Sequence, residues 1–148
     1  MSILNPSKVA QGERVVWRRL LWVVPLAIVA ASVANLIVLR TAVALFPSVG
    51  QFPMLGTAQV IASTVVYLLL ATVVFVLVGK LSSRPVRHYR IVAVVALLLS
   101  FGAPLSAGAG FMPGASADAV TVITLIVMHV VAAAITVPLF TTMAVETT

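Results

Sequence analysis

Four long apolar runs alternate with short polar connections along the chain: Leu20–Leu39, Ala58–Val78, Ile91–Phe111 and Ala119–Phe140. Each holds the roughly 20 consecutive apolar residues that a helix needs to cross a hydrocarbon core of about 30 Å. Inside such a core every backbone N–H and C=O must find its partner within the protein, which helices achieve on their own. The expected architecture is therefore all-α, an integral membrane four-helix bundle forming a single domain over residues 1–148.

The connections differ in charge. Lys8, Arg14, Arg18 and Arg19 precede the first run, and Lys80, Arg84, Arg87 and Arg90 lie between the second and third. The connections after runs one and three carry almost no charge. Basic residues collect in cytoplasmic segments, so both termini and the "KLSSRPVRHYR" loop are expected inside, an N-in/C-in topology. Trp17 and Trp22 flank the start of the first run, as aromatic anchors at the headgroup level do. A cleaved signal peptide is the competing reading of this end, with "SVA" at Ser32–Ala34 as the cleavage site. The apolar run continues through "NLIVL", which favours an uncleaved span. The connection "TAVALFPSVGQFPMLGT" contains Pro47, Gly50 and Pro53, residues that end helices, and is expected as a loop or short amphipathic piece at the interface.

Composition strengthens this picture. The chain is 62% hydrophobic and 8% charged, against about 45–50% and 25% in soluble domains. A net charge of +6 could indicate nucleic acid, but the basic residues lie beside apolar runs, so no nucleic-acid partner is expected; the lipid bilayer is. The absence of cysteine excludes disulfides, thiolate nucleophiles and cysteine-ligated metals. With Asp118 and Glu146 the only acids after the N-terminal leader, paired-carboxylate chemistry has no apparatus. Neither an enzyme, a metal centre nor a cofactor is expected.

Polar residues inside the runs are the candidate site. At a rise of about 1.5 Å per residue, Ser32, Tyr67, Ser100 and His129 fall near the bilayer midplane, one from each run. Leu125, Ala132, Ala133 and Thr136 share the face of His129. In the third run Gly102, Ser106 and Gly110 repeat at four-residue spacing, a pattern that suits close helix packing. Pro104 has no amide hydrogen, which leaves the Ser100 carbonyl without its helical donor. His129 is expected to donate to that carbonyl or to exchange a hydrogen bond with Tyr67.

Three readings of His129 stay open: a neutral interhelical hydrogen bond, a proton relay or substrate contact, and a cofactor ligand. Haem ligation by two histidines within one chain is not available, because the only other histidine, His88, lies in the basic loop. Arg40 and Asp118, both on the outer side, are expected either to pair or to act separately, with Arg40 snorkelling and Asp118 capping the last helix. Asn35 is a candidate polar contact and Gln59 a weaker one.

The stretches "NL" at Asn35 and Leu36, "RPVRHYR" at Arg84–Arg90, "LLLSFGAPL" at Leu97–Leu105 and "LIVMHVVAAAITVPLF" at Leu125–Phe140 together resemble a bacterial four-helix membrane family catalogued as domain of unknown function 6069. The resemblance implies a small multi-pass protein of the inner (plasma) membrane and supplies no activity or catalytic residues. The function expected is that of a structural or interaction subunit, partnered by a second copy of the chain or by a membrane complex. The alternative is a small transporter or channel subunit using the midplane layer around His129. A quinone-, haem- or pigment-binding subunit ranks below both.

Overall fold

The structure is a computed structural model that describes residues 13–113 and 116–147; Lys8, assigned above to the first basic segment, lies outside them. The element order is β1 (Glu13–Val15), α1 (Trp17–Leu45), two short 3-10 turns (Pro47–Gln51 and Pro53–Leu55), α2 (Thr57–Leu81), α3 (Pro85–Ser100), α4 (Gly102–Gly108), α5 (Ala119–Pro138) continued by a π-helical turn (Leu139–Met143), and β2 (Val145–Thr147). Among the described residues, four stretches are long and apolar enough to cross a membrane: Trp17–Leu45, Thr57–Leu81, Pro85–Gly108 and Ala119–Met143. α1 packs against α2 and α5, and α3 closes the ring by packing against the same two helices.

Proline sets several boundaries. Phe46 precedes Pro47 and leaves the helical region (φ −137°, ψ 88°), which ends α1. Pro85 opens α3 at a position whose N–H a helix does not use. Pro25 lies within α1 without ending it, as membrane helices tolerate.

The third apolar run departs from the single helix expected to reach Phe111. Pro104 cannot donate to the Ser100 carbonyl and its ring crowds that turn, and the chain stops at Ser100, tightens at Phe101, whose N–H bonds the Leu98 carbonyl, and restarts as α4. The restart changes which face turns inward. Pro104 and Ala107 are buried, and Gly108 lies so close to α5 that an added Cβ would meet the Val122 side chain at 2.7 Å. Gly102 and Gly110 have no neighbour within 4 Å of such a Cβ, and Ser106 turns its hydroxyl to the Ala103 carbonyl. The packing face is thus Pro104, Ala107 and Gly108, not Gly102, Ser106 and Gly110. Gly110, at φ 75°, supplies the left-handed conformation that follows many helix ends.

A two-stranded antiparallel ribbon joins the first and last of the described residues, with Arg14 opposite Glu146 and Val15 opposite Val145. Arg19 pairs with the Glu146 carboxylate and reaches the Val145 carbonyl. Val15 fills the space left by Gly79 on α2. Glu13 accepts from the Val86 N–H at 3.1 Å, so a carboxylate from the ribbon caps the positive end of α3. Between this ribbon end and the opposite turn end the core divides in two. Leu20, Val23, Ala27, Ala31, Phe75, Tyr89 and Phe140 fill the ribbon end; Leu39, Val49, Phe52, Leu55, Val60, Ala107 and Met128 fill the turn end.

Candidate ligand cavity

The helices between those two clusters do not close on one another. They surround a cavity of about 550 Å³ with walls from α2, α3 and α5 and contributions from Asn35 of α1 and from Met54 and Leu55 of the second 3-10 turn. It is open at its side. Tyr67, Leu70 and Leu99 line it yet remain 53%, 56% and 74% exposed. Most of the wall is aliphatic, and its polar members include Asn35, Thr64, Tyr67, Ser100, His129 and Thr136.

Asn35, Tyr67 and His129 each lie ten positions from the turn end of their helices, marked by Leu45, Thr57 and Ala119, or about 15 Å along the axis. The polar layer expected from depth counting therefore contains Asn35 in place of Ser32. Ser32 is buried with no partner for its Oγ among the described residues and forms no part of the cavity wall. Its position one turn removed on α1 turns it into the bundle instead. Asn35, 5% exposed, donates from Nδ2 to Thr64 Oγ1 at 3.1 Å, and Thr64 donates to the Val60 carbonyl at 2.7 Å.

His129 makes a different hydrogen bond from the one expected. Its Nδ1 lies 2.7 Å from the Leu125 carbonyl of its own helix. A carbonyl only accepts, so Nδ1 carries the proton and, in the neutral ring, Nε2 is left as an acceptor. The Ser100 carbonyl is not its partner, since the Nδ1 proton is given to the Leu125 carbonyl instead, and the Ser100 hydroxyl turns to its own helix, donating to the Leu97 carbonyl at 2.6 Å. Tyr67 does come close: the two rings are 6.0 Å apart between centroids and tilted by 59°, a packing contact without a hydrogen bond.

A profile described as the family of unknown function DUF6069 matches residues 11–146. The chain belongs to that family. The match runs from the residues just before β1 into β2 and so takes in all four candidate spans. This DUF6069 protein is a multi-pass membrane protein with an all-α transmembrane bundle. No curated protein and no solved structure matches it significantly.

At the turn end of the DUF6069 protein, Arg40 and Asp118 have separate partners. Arg40 donates to Thr57 Oγ1 at 3.1 Å, while Asp118 accepts from Thr121 N–H at 2.8 Å and from Ser48 Oγ at 2.7 Å. The pairing alternative therefore gives way to capping, since the first turn of α5 supplies free N–H groups beside the carboxylate. Hydrogen bonds from Thr121, first through its side chain and then its backbone, and from Ser48 hold the Asp118 carboxyl below its ordinary range. Gln59 is exposed at the start of α2. His88 sits against Ser82 in the connection between α2 and α3, far along α3 from the cavity's polar layer.

Thr136, placed by helical spacing on the face of His129, is buried in the cavity wall with no partner for its Oγ1 among the described residues, whereas sequence reasoning missed Thr64. Thr64 lies four positions after Val60, the spacing at which a hydroxyl meets the carbonyl of the preceding turn. A hydroxyl residue at that spacing inside an apolar run could have marked it.

Proposed function

We propose that this protein holds a lipophilic small molecule drawn sideways from the bilayer, and that it acts by binding rather than by catalysis. The supporting observation is the open-sided cavity of about 550 Å³ between α2, α3 and α5, within the range of roughly 300–1,000 Å³ typical of small-molecule sites. A purely structural subunit has less support, since the bundle is filled at both ends but not at its centre. Passage across the membrane has less support as well, because Phe75, Tyr89 and Phe140 fill the ribbon end.

The test fills the cavity. Ala96 lines it and is exposed, so Ala96→Phe has room for its ring and is expected to leave the thermal midpoint unchanged. Native mass spectrometry of protein extracted in mild detergent should show a bound lipophile on the wild type and at least about tenfold less on the variant, the loss a blocked pocket implies. A wild-type protein that carries no such molecule and takes none up from lipid nanodiscs defeats the proposal.

The bilayer proposed is the plasma membrane, with the ribbon end and both termini in the cytoplasm. Among the described residues, Arg14, Arg18, Arg19, Lys80, Arg84, Arg87 and Arg90 all gather at the ribbon end, against Arg40 alone at the other. The cysteine-free chain makes the check direct. On intact cells an impermeant maleimide should label Ser116→Cys, and Ser83→Cys only after permeabilisation; the opposite pattern reverses the topology.

A further inference from the structure

We propose that the molecule held in the cavity presents a hydrogen-bond donor, a hydroxyl on a neutral lipophilic body, to acceptors supplied by Asn35 and His129. This rests on the binding reading above and adds the chemistry of the ligand's polar end.

The argument comes from which hydrogen bonds are already committed. Thr64 has one proton to give, and it goes to the Val60 carbonyl. Toward Asn35 the Thr64 oxygen can then only accept, so the amide must turn Nδ2 to it. That fixes the orientation of the amide without reference to its two similar ends. Oδ1 is left buried with no donor among the described residues. His129 reaches the same state by a different route, because the Leu125 carbonyl takes the Nδ1 proton and leaves Nε2 with a lone pair.

Both residues line the cavity and lie at the same depth. Hydroxyls elsewhere on the wall, Tyr67 and Thr136 among them, rotate to donate or accept as needed. An amide oxygen and a deprotonated ring nitrogen cannot. An unmet acceptor away from water is costly, so the fixed groups of this wall favour a ligand that donates. No Asp, Glu, Lys or Arg lines the cavity among the described residues, and a charged ligand would find no counter-ion there. The aliphatic walls and the open side suit a molecule already dissolved in the bilayer.

A matched pair of probes separates the ligand chemistry from the existence of the site. The wild-type protein in nanodiscs is titrated with para-dodecylphenol and with its methyl ether, which keeps the shape and oxygen but removes the donor. The phenol should bind at least about tenfold more tightly, the difference one unmade hydrogen bond to a buried acceptor produces. That preference should collapse in Asn35→Leu or in His129→Phe, two independent variants on different helices. Equal binding of phenol and ether overturns the donor assignment while leaving the binding reading in place. Binding of neither probe overturns the binding reading, and the inference with it. A preference that survives in both variants overturns the choice of Asn35 and His129.

Discussion

Replacing Phe140 by alanine is expected to lower the unfolding free energy by about 3 kcal/mol, the low end of the range for buried phenylalanines. Phe140 is fully buried in the π-helical turn after α5. Its ring centroid lies 5.3 Å from that of Phe75 on α2 and 6.1 Å from that of Tyr89 on α3, and Phe75 meets Tyr89 edge-on at 4.8 Å. Three helices are thus joined through one aromatic cluster. Lipid tails are as apolar as a protein interior, so the transfer part of the loss is small in a bilayer. What remains is lost dispersion contact and the void left behind, which places the estimate at the low end. Phe140→Leu retains much of the volume and should cost about 1 kcal/mol. Reversible unfolding in bicelles measures both, and an unchanged Phe140→Ala protein would show that the cluster is not a unit.

Ala31→Leu should destabilise by about 2 kcal/mol for the opposite reason, overpacking. Ala27 and Ala31 are both fully buried and four residues apart, so α1 presents small side chains where it meets its neighbours. This is the small-residue contact by which membrane helices approach closely. A leucine at position 31 forces the backbones apart one turn from the Asn35–Thr64 hydrogen bond. The same change at Val33, which is 52% exposed, should be neutral. If the two substitutions behave alike in that unfolding assay, the close approach of α1 is not what holds this part of the bundle.

The candidate site was partly legible before the structure. His129 and Tyr67 are polar groups deep in apolar runs, and counting along the helix axis is enough to place them at one level. Counting does not reveal which way a side chain turns. Ser32 and Asn35 are three positions apart on α1, and only the packing of α1 against α2 decides that Asn35, not Ser32, joins the cavity wall. The partner of His129 is likewise a matter of competition. A carbonyl four residues back in its own helix is always within reach, whereas the Ser100 carbonyl lies on a different helix and is met only where tertiary packing brings it beside the ring.

The amino-acid sequence by itself determined the number of spans, the gathering of basic residues at one end and the helix-ending prolines, because hydrocarbon thickness, charge placement and a missing N–H act locally. Only the tertiary structure decided the ribbon between Glu13–Val15 and Val145–Thr147, the capping of α3 by Glu13 and the separate partners of Arg40 and Asp118. Those depend on groups brought together from distant parts of the chain, where three-residue strands and single carboxylates leave no periodic trace. The open-sided cavity belongs with them, since its volume is what remains after four apolar helices have packed, and no single helix encodes that space.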